Sequence, residues 1–440
     1  MGVRNENSTS YVHPDEPNLL NLHKAMEYNG LGQPIVRTKA VFASGSDYND
    51  STVTDAFGRL RISQPFTMFE SAFRFGDRTD RWDTALSGSA AKTADTNAAT
   101  INLNVTTTGD QIIRETKMVF PYQPGKSLLI LNTFVMATPQ TGLRQRVGYF
   151  GAQNGIYFMT EGATKYFAIR KYTSGVVDDT SEKVAQANWN VDPMDGSGPS
   201  GITLDVTKTQ IFWCDVEWLG VGSVRCGFVV NGVFILCHVF HHANRFTLPY
   251  MTTACLPIRF EITATGAVAA TMKQICSTVI SEGGFEAKSL RYAASMGVTT
   301  KNLGTKGTYY PIISLRLTSA RIDAIARLAQ FQTMIATSSS APKNCHYQIL
   351  KNATLTSPSW NLHDAGTIEY DFDASGYTGG TVITSGYFSA STRADLGSAD
   401  DFNYQLGRTI AGVSDVITVV ATPDSNGLDV AMDIGWFELS

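Results

Sequence analysis

A chain of 440 residues exceeds the roughly 250–300 that one apolar core usually serves, so two or three modules are expected. Only 17% of the residues are charged, the net charge is -4 and no Lys/Arg run occurs, which excludes an electrostatic grip on nucleic acid. No apolar stretch approaches the ~20 residues of a membrane helix, and Met1-Gly2-Val3-Arg4-Asn5-Glu6 lacks the apolar core of a secretory signal. Neither nucleic acid nor membrane is therefore an expected partner, and synthesis in the cytoplasm is expected.

Residues 1–54 read as an extended N-terminal arm. The segment is polar, carries Pro14 and Pro17, and offers a short helical candidate over Asn18–Met26 and a strand candidate over Ile35–Phe42. It has too little apolar area to fold alone, so it is expected to anchor on the body or on a neighbouring subunit. A main domain is expected over 55–285. Leu60 and Ile62 alternate with Arg59, Arg61 and Ser63 as in a strand, and Pro65 ends it. Arg59, Arg61, Arg74, Arg78 and Arg81 are offset by Glu70, Asp77, Asp80 and Asp83, which reads as ion-paired surface. Leu86–Ala99, small and polar, reads as an exposed loop. Short strands then recur at Ile101–Val105, Ile112–Phe120, Ser127–Met136, Gln145–Tyr149, Gly155–Met159 and Lys165–Tyr172, separated by Gly, Pro and Asn turns. That spacing is the pattern of a sandwich or jelly roll.

The stretch Ile211–Ile262 organises the domain. Val224–Val230 and Val233–Phe240 flank Asn231-Gly232, a strong hairpin signal, so Val230 is expected opposite Val233, Val229 opposite Phe234 and Phe228 opposite Ile235. Continued without a bulge, this register sets Cys226 opposite Cys237 as reduced thiols. Apolar residues on both faces of the hairpin require two layers of cover, from a sandwich or from a subunit interface. Residues 286–306, rich in small residues, read as a linker, and 307–440 as a second β domain in which Arg321–Ala329 fits a helix or a strand equally. The expected fold is all-β: a jelly-roll-like β-sandwich body, a second smaller β-sandwich and the arm.

Candidate chemistry is sparse. His238 and His242 are four apart, a metal spacing on a helix, but they fall at the end of a strand, where that geometry fails. Asp215 and Glu217 share a strand face near Trp213 and Trp218, a weak signal for paired acids acting on a sugar against the plainer reading of solvent-facing acids. Asp371-Phe372-Asp373 opens like a calcium loop, yet the closing position falls on Val382, so it reads as a turn. Six cysteines without a CxxC spacing read as buried thiols. No catalytic, cofactor-binding or metal-binding residue is assigned, no cofactor is expected, and the chain does not read as an enzyme.

Asp55-Ala56-Phe57-Gly58-Arg59-Leu60-Arg61, Pro121-Tyr122-Gln123-Pro124-Gly125-Lys126-Ser127, Gln145-Arg146-Val147-Gly148-Tyr149-Phe150, Glu217-Trp218-Leu219-Gly220-Val221-Gly222 and His241-His242-Ala243-Asn244 together resemble a family of virion structural proteins of tailed bacteriophages, chiefly marine and cyanobacterial ones. The resemblance covers 55–285 and, more loosely, the second module. It implies a place in a virion as a tail, fibre or particle-surface component, with other virion proteins bound through 1–54 and a homo-oligomer, a trimer by the habit of phage fibres. Two alternatives remain: a carbohydrate-binding host-receptor module, for which Trp213, Trp218, Trp360 and Tyr377 should include exposed platforms for host surface glycans, and a capsid-decorating cement protein.

Overall fold

The computed structural model describes residues 64–286, 289–336, 343–389, 391–395 and 404–439, together with the strands Met26–Tyr28 and Pro34–Val36. The chain forms two compact units, Met1–Ile62 and Ser63–Ser440. In the first, Met26–Tyr28 and Pro34–Val36 pair antiparallel with Tyr28 opposite Pro34. The rest of the arm and the Asp55–Arg61 motif lie outside the described residues.

The described residues of the second unit form β-sheets around two main apolar cores. In the first, a seven-stranded sheet runs in the spatial order Asp178–Ala185, Thr164–Lys171, Gly155–Glu161, Leu143–Phe150, Ile258–Ala264, Gln111–Thr116, Trp82–Ser87. The facing eight-stranded sheet runs Val233–Phe240, Val224–Val230, Gln210–Val216, Leu128–Val135, Ala270–Ser281, Thr100–Val105, Ala91–Asp95, with Phe66–Ala72 also paired to Ala270–Ser281. Period-2 alternation directs the packing: Leu128, Ile130 and Phe134 are buried in the core, while Leu129, Leu131 and Val135 are half-buried on the other side. Phe158 joins the layers, its ring 5.1 Å from Phe228 and 6.0 Å from Phe212. This is the jelly-roll-like sandwich that the strand spacing implied.

The hairpin keeps its first three expected rungs, and Asn231 and Gly232 take the positive φ of the turn, 51° and 78°. Beyond Gly227/Leu236 the register shifts by a bulge, so Cys226 opposes His238 and not Cys237. On its other side Cys226 opposes Cys214. All six cysteines are free thiols, and burial pushes that of Cys237 up to about 12. Leu86–Ala99 is not a loop throughout, since it contributes to Trp82–Ser87 and supplies Ala91–Asp95, an edge strand whose exposed polar residues hide the alternation.

Tyr149 ties loops to the core. Its hydroxyl lies 2.6 Å from the Ala254 carbonyl and 3.0 Å from that of Phe120, and accepts the Leu256 N–H at 3.1 Å. Burial raises the pKa of this phenol well above its ordinary value. Tyr149→Phe should cost about 1–3 kcal/mol, read as a lower urea midpoint, because buried carbonyls and an N–H lose their partner. An unchanged midpoint would show that these groups find other partners.

In the second sandwich a five-stranded sheet orders Arg291–Ser295, Leu428–Leu439, Ile325–Ala336 and Ser391–Asp395, with Lys301–Leu303 also on Leu428–Leu439. The six-stranded sheet orders Asn361–Leu362, Ile368–Asp371, Tyr310–Leu317, Val416–Pro423, Asn344–Lys351 and Thr381–Ser389. Leu315, Phe331, Ile349, Val419 and Trp436 fill the space between. The ambiguous Arg321–Ala329 resolves into the end of a 3-10 turn and the start of the strand Ile325–Ala336, which pairs along its whole length with Leu428–Leu439. Arg291–Ser295 and Lys301–Leu303 fall inside the 286–306 stretch and are both sheet.

Candidate functional site

The densest chemistry lies on the outer face of the seven-stranded sheet. Inward Val147, Ile258 and Phe260 alternate with outward Arg146, Arg259 and Glu261, and the register sets Glu115 opposite Arg259 and Glu261 opposite Arg146. Arg259 bridges two carboxylates, Nη1 at 3.1 Å from Glu115 Oε2 and Nη2 at 3.2 Å from Glu261 Oε2. Arg144 and Arg146 approach the other Glu261 oxygen at 3.4 and 3.5 Å, and Arg146 and Arg170 share Asp179 at 3.2 and 3.4 Å. The guanidinium of Arg146 lies over Tyr157, that of Arg259 over Phe150, and that of Arg170 over both rings.

The lattice reaches the second sandwich. Arg408 pairs with Glu115 and, at 2.7 Å, with Asp323. Beside it the Arg408 N–H donates to the Lys117 carbonyl at 2.8 Å, the Gln405 amide to the Val119 carbonyl at 2.8 Å, and the Ile410 N–H to Asp83 at 2.7 Å. A cleft of about 300 Å³ opens here, lined by Glu115, Asn154, Cys255, Arg259, Asp323 and Arg408.

Two carboxylates bridged by one arginine on a sandwich face invite comparison with a glycosidase pair. Burial pushes the pKa of Glu261 up, but Arg259, Arg146, Arg144 and Arg170 outweigh it and hold the carboxyl below the ordinary value. A general acid needs the opposite shift, and both oxygens are already engaged by guanidinium groups. The arrangement fastens strands and sandwiches together. Sequence reasoning missed it. The signal was the alternation in Arg144-Gln145-Arg146 and Arg259-Phe260-Glu261, but the pairing comes only from register.

The residues singled out from sequence are dispersed. Asp215 is buried and paired with its cross-strand neighbour Arg225, contrary to the reading of a solvent-facing acid, while Glu217 lies beyond the strand end and is exposed. His238 is buried, its pKa lowered to about 4 by burial and by His241, and its Nδ1 accepts the Asn190 N–H at 3.2 Å. His242 stacks on Tyr250 at 3.9 Å, with Nδ1 2.7 Å from the Gly222 carbonyl and Nε2 2.9 Å from Glu182 Oε2. His241 is exposed, with Nδ1 3.3 Å from the Ser223 hydroxyl. The three rings thus have separate partners. The Asp371 carboxylate accepts the N–H groups of Ser359, Asp373 and Ala374, and the Lys301 ammonium donates to the carbonyls of Phe372 and Ala374, so a lysine supplies the positive charge in that turn. Among the described residues no group of three or more His, Cys, Asp or Glu is placed to hold a metal, and no helix is long and apolar enough to cross a membrane.

Trp213 is buried with its ring edge-on to Phe234, Trp218 is half-buried against Tyr122, and half-buried Trp360 has the Arg316 guanidinium 4.1 Å over its ring. None of these tryptophans is an open platform. Tyr377 is half-buried beside Leu350 and Val420.

No known family and no curated protein matches the chain. Among solved structures it is similar to a Bacillus licheniformis β-glucanase, at 13% identity over 48% of this chain and 96% of that one, TM-score 0.32. It is also similar to the carbohydrate recognition domain of Emp47p, at 10% identity over 53% and 100%, TM-score 0.32. A Shewanella oneidensis protein of unknown function aligns at 10% identity over 53% and 91%, TM-score 0.34. The first two are a glucanase and a carbohydrate recognition domain by name, and scores this low carry no argument.

Proposed function

We propose that this protein is a non-catalytic structural subunit of a tailed-bacteriophage particle that assembles with copies of itself through the outer face of the eight-stranded sheet. The observation that carries the reading is the chemistry of that face. Leu129, Leu131, Ile211 and Val229, all half-buried, and Phe234, 52% exposed at the hairpin end, lie on the side of their strands away from the core, with buried Trp213 packed against Phe234. A sheet face built from branched and aromatic residues gains from cover, and a symmetric oligomer reuses one such face in every subunit. The Arg–Glu lattice supports the same reading, because it fixes two sandwiches as one block.

Light scattering at micromolar concentration tests it. The wild-type chain should be a stable oligomer, and Phe234→Asp should give a folded species of lower mass. A wild-type monomer would overturn the assembly, and hydrolysis of a polysaccharide by the same sample would make the protein an enzyme. Labelled antibody on intact particles would test the virion assignment itself.

A further inference from the structure

On the second sandwich, the outer face of the six-stranded sheet carries an aromatic row of a different character. Cys345, Tyr347 and Ile349 point into the core, so His346 points out, with Tyr387 opposite it on one neighbouring strand and Thr422 on the other. The Tyr309 hydroxyl lies 2.8 Å from His346 Nδ1 and continues the row past Thr422. Tyr387 is 77% exposed, and its ring meets the His346 ring edge-on at 4.7 Å. An upright aromatic with so much of its surface in water, held by a neighbour, offers a face for stacking.

Three features decide what fits. Thr422 is only 9% exposed and its hydroxyl oxygen is buried in the row, so a ligand on this face takes its polar contacts from the next rung. The next rung places Gln348 opposite exposed Ser385, an amide and a hydroxyl. The four members of the row and these two contain no acid, lysine or arginine, and the nearby Asp424 already accepts the backbone and side-chain N–H groups of Asn344. A protein partner would call for contiguous apolar surface, whereas here single rings alternate with neutral hydrogen-bonding groups.

We infer that Tyr387 with Gln348 and Ser385 is a binding site for an uncharged polysaccharide, with a sugar ring laid against Tyr387 and its hydroxyls bonded to the amide and the serine. A pyranose presents an apolar C–H face and a rim of hydroxyls, the complement of a bare aromatic flanked by an amide and a serine. The site belongs to the second sandwich and does not depend on the assembly face of the first.

Native electrophoresis of the full chain tests it, in gels containing soluble mixed-linkage β-glucan, xylan or galactomannan, with anionic alginate as the contrast. At least one neutral polymer should retard the wild type. Tyr387→Ala should weaken that retardation at least tenfold and Ser385→Ala severalfold, both with unchanged melting temperature, while Tyr387→Phe should retain it. The proposal is overturned if no neutral polymer retards the chain, if alginate alone does, or if Tyr387→Ala binds like the wild type. Loss of an oligomer in Tyr387→Ala would also overturn it, marking the row as a contact between copies. The Phe234 experiment is independent, so either proposal can fail alone.

Discussion

Glu261→Gln should lower the unfolding free energy by about 3–5 kcal/mol at neutral pH, among the largest losses a single isosteric change in this chain can produce. The residue is 2% exposed, and its carboxylate pairs with Arg259, Arg144 and Arg146, with Arg170 close by. Removing its charge leaves buried guanidinium groups facing one another with too few anions to neutralise them. The sign of the pH dependence follows from the direction of the shift. The folded carboxyl titrates below its ordinary 4.5, so its stabilising contribution is complete above that value and is lost as pH falls through the depressed pKa. The difference between wild type and variant should therefore be widest at pH 7 and narrow below pH 4.5. Urea midpoints across that range measure it, and a gap under about 1 kcal/mol at pH 7 would show that the arginines are solvated rather than dependent on Glu261.

What could be read from the sequence was local. Asn231-Gly232 announced its turn because positive φ at both positions needs those residue types, and Leu128–Val135 announced its face because every second residue is apolar. Asp178–Ala185 was not legible. It is an edge strand that is polar from Asp178 to Lys183 before Val184 and Ala185, and its place follows from pairing with Thr164–Lys171 and not from any pattern of its own. The same limit applied to both sites. Glu115 and Arg259 are neighbours across two strands but 144 positions apart in sequence, and Tyr309, His346, Tyr387 and Thr422 come from separate segments that only the order of the sheet brings together. Even where a residue type was noticed, as with Asp215, its pairing came from the cross-strand neighbour Arg225. Composition and periodicity gave the class of fold, while both candidate sites are built from contacts of long sequence separation.

Gly227→Ala should cost at least about 3 kcal/mol, and the reason is the feature that displaced Cys237 from Cys226. Gly227 borders the bulge, opposite Leu236 on one side and Trp213 on the other. A Cβ there would lie 1.9 Å from the Ile235 carbonyl oxygen and 2.9 Å from the Trp213 ring, so backbone has to move and the indole has to lift. Neither adjustment is local, because Trp213 packs on Phe234 and the pair forms part of the proposed assembly face. Gly232→Ala provides the control: its φ of 78° disfavours a side chain, but nothing lies within 4 Å of the added carbon, so the cost should stay near 1–2 kcal/mol. Urea unfolding followed by tryptophan fluorescence separates the two. If Gly227→Ala is no worse than Gly232→Ala, the close approach of the indole to the hairpin backbone is wrong, and with it the packing that presents Phe234 to a neighbouring copy.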